Sequence, residues 1–345
     1  MLIDISKKTC NNMIYQIQRG GSLKNMKSKT VKNGTDSKRH KLFVDLKNGW
    51  QLYVMALPAM VLLFLFAYMP MAGLVIAFKQ YNFKRGIWGS EWMNPLFKNF
   101  EILFRNNTAA MSAIRNTLLL NILFISVGTI FALLLALSLN EIANKYIKKI
   151  TQSLTFLPYF ISTVVVGIFV SGLLGYENGT LNKLITFFGG EKVAFYQHAS
   201  YWPFILLFVN IWKGAGYSAV IYLATLSGID ESYYEAAQID GATRWQQIWN
   251  ISLPLMRPTV VVMTLLAVGK IMNADFGLFY NITGAMPMLY STTDVLDTYI
   301  FRALRQTGDI AISSATGFFQ STISFVLVIA CNWLARRYEK DAALF

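Results

Sequence analysis

Two lysines stand where the surrounding sequence makes a charge expensive. Lys213 and Lys270 each fall inside an apolar stretch of about 20 residues, long enough to cross a bilayer core at 1.5 Å per helical residue. Counted from the ends of those stretches, both reach close to the midplane. Ionisable side chains at that depth mark solute or ion pathways by default. Asn273 shares a helical face with Lys270 at i+3, and Asp275 is near enough to help neutralise a lysine. Trp212 and Tyr280 add rings of the kind that stack on sugar faces. Together Trp212, Lys213, Lys270, Asn273, Asp275 and Tyr280 read as the border of a translocation path, whose chemistry is binding and release. Each taken alone has a structural alternative: a lysine paired with Asp275 or a carbonyl, and aromatics packed as core.

Covalent chemistry finds no support in the residue set. The chain has no G-x-x-x-x-G-K-[ST] stretch to cradle phosphates. His40 and His198 lie far apart without metal-ligand company, and Cys10 and Cys331 offer neither metal spacing nor a disulfide framework. No nucleophile–base constellation is present, and a membrane-embedded enzyme would need clustered His, Asp or Glu. Serines and threonines in the apolar stretches suit helix–helix hydrogen bonds.

A second constellation is polar and runs from Asp230 to Pro254. Its composition predicts two short helices. The first covers 231–239 and ends at Asp240-Gly241, where glycine can take positive φ. The second starts near Thr243 and aligns Trp245, Ile248, Trp249 and Ser252 at i, i+3, i+4, i+7. Pro254 is expected to stop it and Pro258 to open the next span. A helix lying on anionic lipid would favour Lys and Arg. This loop instead carries Asp230, Glu231, Glu235 and Asp240 against Arg244 and Arg257, which suits a groove in another protein. Ala236, Ala237, Gly241 and Ala242 allow close backbone approach there, and Glu235 can meet a basic group.

The elements that must position these residues are membrane helices. Hydrophobic residues make up 54% of the 345 and charged residues 14%, with a mean hydropathy of +0.42, too little charge to cover a soluble surface. Six apolar segments can be read, at 52–78, 117–139, 150–174, 201–226, 259–279 and 312–334, with Pro58, Pro70, Pro158 and Pro203 as sites for kinks. The net charge of +13 does not indicate nucleic acid, because 11 of the 31 Lys and Arg lie before Trp50. Residues 1–49 are expected to be a disordered basic arm against cytoplasmic anionic lipid. The first apolar run is too long for the core of a cleavable signal peptide. With both termini inside, Lys and Arg divide 19 inside to 10 outside, but 8 to 10 without the arm. In the first outer loop, Asn99–Phe104 has the pattern of a short interfacial helix, and Trp88, Trp92 and Phe97 suit the headgroup zone.

The polar loop resembles the coupling loop of binding-protein-dependent ABC importer permeases: E-A-A, a Gly, then I-x-L-P. The matching residues are Glu235-Ala236-Ala237, Asp240-Gly241-Ala242, Ile251-Ser252-Leu253-Pro254 and the second proline, Pro258. Asn116-Thr117, Leu157-Pro158, Trp212-Lys213-Gly214, Leu223-Ala224 and the run from Asp294 to Tyr299 look like the oligosaccharide branch of that family. The resemblance covers residue 50 to the end. It implies an all-α membrane protein with six transmembrane helices in the type I importer fold, both termini cytoplasmic, in a bacterial plasma membrane. It assigns ATPase coupling to Glu235, Ala236, Ala237, Asp240, Gly241, Ala242, Ile251, Leu253 and Pro254, within loop 227–258 of a permease domain at 50–345. It implies a subunit without enzyme activity or cofactor of its own, forming the path for a carbohydrate. Its partners would be a second, non-identical permease, two ATP-binding subunits holding ATP and Mg, an extracellular solute-binding protein and the lipid bilayer. Two midplane lysines would further suit an acidic sugar. The alternatives are a permease for a non-sugar solute and a self-powered secondary transporter, which would need inverted repeats or a charged relay.

Overall fold

The computed structural model describes residues 50–105 and 108–338; the basic arm lies outside them. The chain divides into two units, one ending at Met69 and one running from Pro70. In the first, α1 (Trp50–Leu63) is apolar around its whole circumference, with no buried residue, and passes into a π turn at Phe64–Tyr68. A helix apolar on every face is suited to lipid.

The second unit holds the remaining helices. Two short strands, Lys79–Gln80 and Glu91–Trp92, pair antiparallel in the loop that follows the first apolar segment. Helix α2 (Lys98–Phe104) follows and buries Asn99, Phe100 and Leu103, at the place where the sequence predicts an amphipathic segment. Trp88, Trp92 and Phe97 stay exposed. Helix α3 (Ala109–Asn140) contributes buried residues to all three apolar clusters of the unit. Next come α4 (Lys145–Phe156), α5 (Thr163–Leu174), α6 (Thr180–Phe187) and α7 (Trp202–Ser227), then the polar-loop helix α8 (Glu231–Ile239). Helix α9 (Arg244–Gly269), α10 (Phe276–Thr283), α11 (Leu296–Arg305) and α12 (Ile310–Tyr338) complete the unit.

Among the described residues five helices are long and apolar enough to cross a membrane, and a sixth crossing results if the α4–α5 pair counts as one. The number agrees with the six segments read from sequence, but two of the segments are not straight spans. The third bends by 95° between Phe160 and Thr163. Pro158 enters a 3-10 turn, Ile161 is extended, and the Ser162 hydroxyl accepts from the Val164 amide to start α5 afresh. The fifth is displaced. Instead of stopping at Pro254, the loop helix continues unbroken to Gly269, and the span then breaks at 270–275. Pro254 has no backbone N–H to donate to the Asn250 carbonyl, and its ring crowds that carbonyl. A π turn at Ile248–Ser252 absorbs that conflict, so the proline bends the backbone register without ending the helix.

Close packing depends on glycine at two crossings. A Cβ on Gly216 of α7 would lie 2.1 Å from the carbonyl oxygen of Thr155 in α4, and one on Gly167 of α5 would lie 2.6 Å from that of Asn281 in α10.

Candidate functional site

The polar loop is a preorganised pair of helices. The Asp230 carboxylate accepts from the Ser232 amide and caps α8. These hydrogen bonds hold the Asp230 carboxyl below its ordinary value. At the other end Gly241 has φ +78°. The Ala242 amide donates to the Ala237 carbonyl and the Gly241 amide to that of Gln238, the double closure of a Schellman turn. The spacing of Ala237, Gly241 and Ala242 therefore has a backbone cause. Thr243 then caps α9 in a capping box with Gln246, and buried Gln247 donates to the Ala242 carbonyl. The Tyr234 and Ser252 hydroxyls meet at 2.9 Å, joining α8 to the π turn of α9. Around this rigid frame Glu235 is exposed, as are Ile239, Trp245 and Trp249.

The midplane candidates separate into three groups. Lys213 of α7 donates to the Tyr159 carbonyl at 3.0 Å, with its ammonium 5.5 Å from the centre of that ring. Tyr159 stacks on Tyr217 at 4.7 Å, and both rings stay about two-fifths exposed, as does neighbouring Trp212. A cavity of about 180 Å³ between α3, α7 and α9 is bordered by Thr129, Asn210, Ser218 and Tyr222.

Lys270 and Asn273 do not share a helical face, because α9 ends at Gly269 and both lie in the break. Lys270 is exposed. The Asn273 side-chain oxygen accepts from Ser324. Asp275 turns to its own helix, accepting from the Leu278 amide to cap α10, and no ion pair joins it to Lys270 among the described residues. Tyr280 belongs to a third group, stacked on Phe276 and edge-on to Phe301.

Two further sequence signals meet in space. The Asn116 amide donates to the carbonyls of Ser291 and Asp294, and the Thr117 hydroxyl accepts from the Leu296 amide. Asp294 is buried and receives both guanidinium nitrogens of Arg302 at 2.8 and 2.5 Å, with Thr298 as a third donor. These contacts fasten the start of α11 to α3. Sequence reasoning did not single out Tyr159, Tyr217, Asn121 or Gln320. The available signals were faint: an amide four residues beyond Thr117 on the same face of α3, and one lone Gln in a span of apolar and small residues.

The sequence profile of the family described as "Binding-protein-dependent transport system inner membrane component" matches residues 128–340. The polygalacturonan/rhamnogalacturonan transport system permease protein YteP of Bacillus subtilis is 36% identical over 88% of this chain and 93% of its own length. Protein LplB of the same organism is 32% identical over 86% and 92%. A crystal structure of a bacterial ABC transporter that imports the acidic polysaccharide alginate contains a chain with TM-score 0.79 and 35% identity, covering 87% of this chain and 99% of that one. The alginate transporter is also known in complex with its pentasaccharide-bound periplasmic protein, and there the TM-score is 0.78. The fold is thus that of the type I importer permeases. The Glu-Ala-Ala motif at 235–237, the run of membrane helices and these likenesses agree: the chain belongs to the binding-protein-dependent transport system inner membrane components, the multi-pass permeases of ABC importers in the cell membrane.

Proposed function

We propose that this chain forms one side of the path by which an ATP-driven importer takes up an oligosaccharide, and that the α8–α9 loop receives the driving motion. The observation that carries the proposal is the exposed face of the loop. Ile239 is 87% exposed, Trp245 70% and Trp249 65%, beside an acidic helix. Large apolar side chains among carboxylates fit a protein groove better than anionic lipid. In this reading Glu235, Ala236 and Ala237 make the contact, while Asp240, Gly241 and Ala242 hold the turn. Ile251, Leu253 and Pro254 pass the motion through the π turn into α9. The groove belongs to an ATP-binding subunit, and ATP and Mg stay there, so this chain hydrolyses nothing. The loop then faces the cytoplasm, and both termini lie inside.

The path is bordered by Lys270 and by the half-exposed rings of Tyr159, Tyr217 and Trp212. Rings of that exposure offer flat faces to sugars. Lys270, without a carboxylate partner among the described residues, offers a cation to an acidic residue of the cargo. The polygalacturonan permease and the alginate transporter among the similar proteins support an acidic oligosaccharide. A second, non-identical permease completes the path, and an extracellular solute-binding protein delivers the cargo, a reading supported by the complex of the alginate transporter with an alginate pentasaccharide-bound periplasmic protein. Affinity purification from cells expressing the whole operon tests the coupling. The wild-type chain should retain an ATP-binding subunit and Glu235→Arg should lose it. Equal retention by both would remove Glu235 from the contact.

A further inference from the structure

Helix α9 rises from the loop and stops at Gly269, and α10 begins at Phe276. Between them, residues 270–275 run through the bundle without regular helical bonding. Unwound backbone is tolerated at membrane depth only where other groups satisfy it. Here three other elements do so. Asn121 of α3 donates to the carbonyls of Ile271 at 2.7 Å and Asn273 at 3.2 Å. Gln320 of α12 donates to the Met272 carbonyl at 2.8 Å and to the Asp297 carboxylate at 3.1 Å. Asp297 of α11 accepts from the Ala274 amide at 2.7 Å. Four consecutive residues of the break are therefore held by side chains.

The flanks are fixed by different means. Below, α9 is one rod from Arg244 to Gly269, about 39 Å long, tied to α8 through Tyr234 and Ser252. Above, α10 packs against α5 at Gly167 with no room for a Cβ, and α11 is clamped by Asp294, Arg302, Asn116 and Thr117. A displacement entering at the loop travels along the rod and meets the closely packed α10 and the clamped α11. The only part between them able to change shape without breaking helical hydrogen bonds is 270–275. Residues 271–274 bond to two side-chain amides and one carboxylate, which exchange partners by rotating about single bonds. Lys270 rides on the same segment.

We propose that residues 270–275 are the joint of the transport cycle, and that Asn121, Gln320 and Asp297 are positioning residues that hold it in its resting form. This rests on the α8–α9 loop being driven by a partner ATPase. The joint differs from rocking of the whole helix bundle, because it changes the angle between α9 and α10.

Hydrogen exchange on the assembled transporter in proteoliposomes tests it, comparing resting with vanadate-trapped complexes. Exchange across 270–275 should change tenfold or more between the two states, while α10 stays constant. Equal rates in both states overturn the joint. A second measurement uses cargo imported per ATP hydrolysed. Gln320→Leu and Asp297→Leu should lower that ratio tenfold or more. Asp297→Asn keeps an acceptor for the Ala274 amide and should retain at least half. A wild-type ratio in Gln320→Leu overturns the positioning role, and if that variant fails to assemble, the exchange rates of the wild-type complex decide. Absence of ATP-driven uptake by the wild-type complex would instead sink the importer reading, and the joint with it.

Discussion

Removing the guanidinium of Arg302 should strand a buried carboxylate, and the cost can be worked from its surroundings. The Asp294 side chain is 4% exposed and Arg302 18%. The pair is bidentate, and the guanidinium carbon lies 4.3 Å from the centre of the Tyr290 ring. Arg302→Met keeps most of the length and removes the cation, leaving Thr298 as the side-chain donor to Asp294. Breaking a buried pair from one side costs about 3–5 kcal/mol, and the partial exposure of Arg302 places this case near the low end. With the unfolding entropy typical per residue, a loss of about 3 kcal/mol corresponds to a Tm lower by roughly 4 °C in a chain of this length. Asp294→Asn/Arg302→Met removes the stranded charge and should recover most of the loss, to within about 1 kcal/mol of wild type. Thermal unfolding followed by tryptophan fluorescence in detergent reads all three proteins. Equal midpoints for the single and double variants would refute the account, because the penalty would then not come from an uncompensated Asp294.

Three further outcomes follow from the same geometry. Gly216→Val places a side chain where a Cβ already stands 2.1 Å from the Thr155 carbonyl oxygen, so the membrane yield of folded protein should collapse; a normal yield would show that α4 and α7 are not in contact. Lys270→Met should raise the KM for an acidic oligosaccharide about tenfold, the worth of one charge-assisted hydrogen bond, and leave a neutral one of equal length unchanged; unchanged uptake of both takes Lys270 off the path. Gly241→Val forces a branched residue to φ +78°, at a cost of at least about 1–2 kcal/mol. Cargo per ATP should fall in that variant while the fold of the spans, read by circular dichroism, persists.

Much of the architecture is legible in the sequence because lipid imposes a simple length rule. The six apolar segments and the loop between the fourth and fifth needed nothing else. The loop turn was legible for a local reason: Gly241 follows a helix of known period, and only a residue tolerant of positive φ closes a Schellman turn there. What composition could not reveal was continuity. Pro254 reads as a terminator, yet a π turn in the preceding residues carries the helix past it, and no residue preference marks such a turn. The break after Gly269 was hidden for the opposite reason. Ile271 and Met272 look helical, and their backbone leaves the helix only because Asn121 and Gln320, 150 and 48 positions away, satisfy it. Asp275 illustrates the same limit: proximity in sequence suggested a lysine partner, whereas helix α10 claims it as a cap. Asn116 and Asp294 were each visible as motif residues, but that they touch is a property of the fold.

The most direct test of the central claim reconstitutes the chain in proteoliposomes, alone and together with its second permease, ATP-binding subunits and solute-binding protein. Uptake of labelled acidic oligosaccharide should require ATP inside and every partner, and the chain alone should move none. Movement of the sugar by the chain alone, or uptake by the full assembly without ATP, would contradict it.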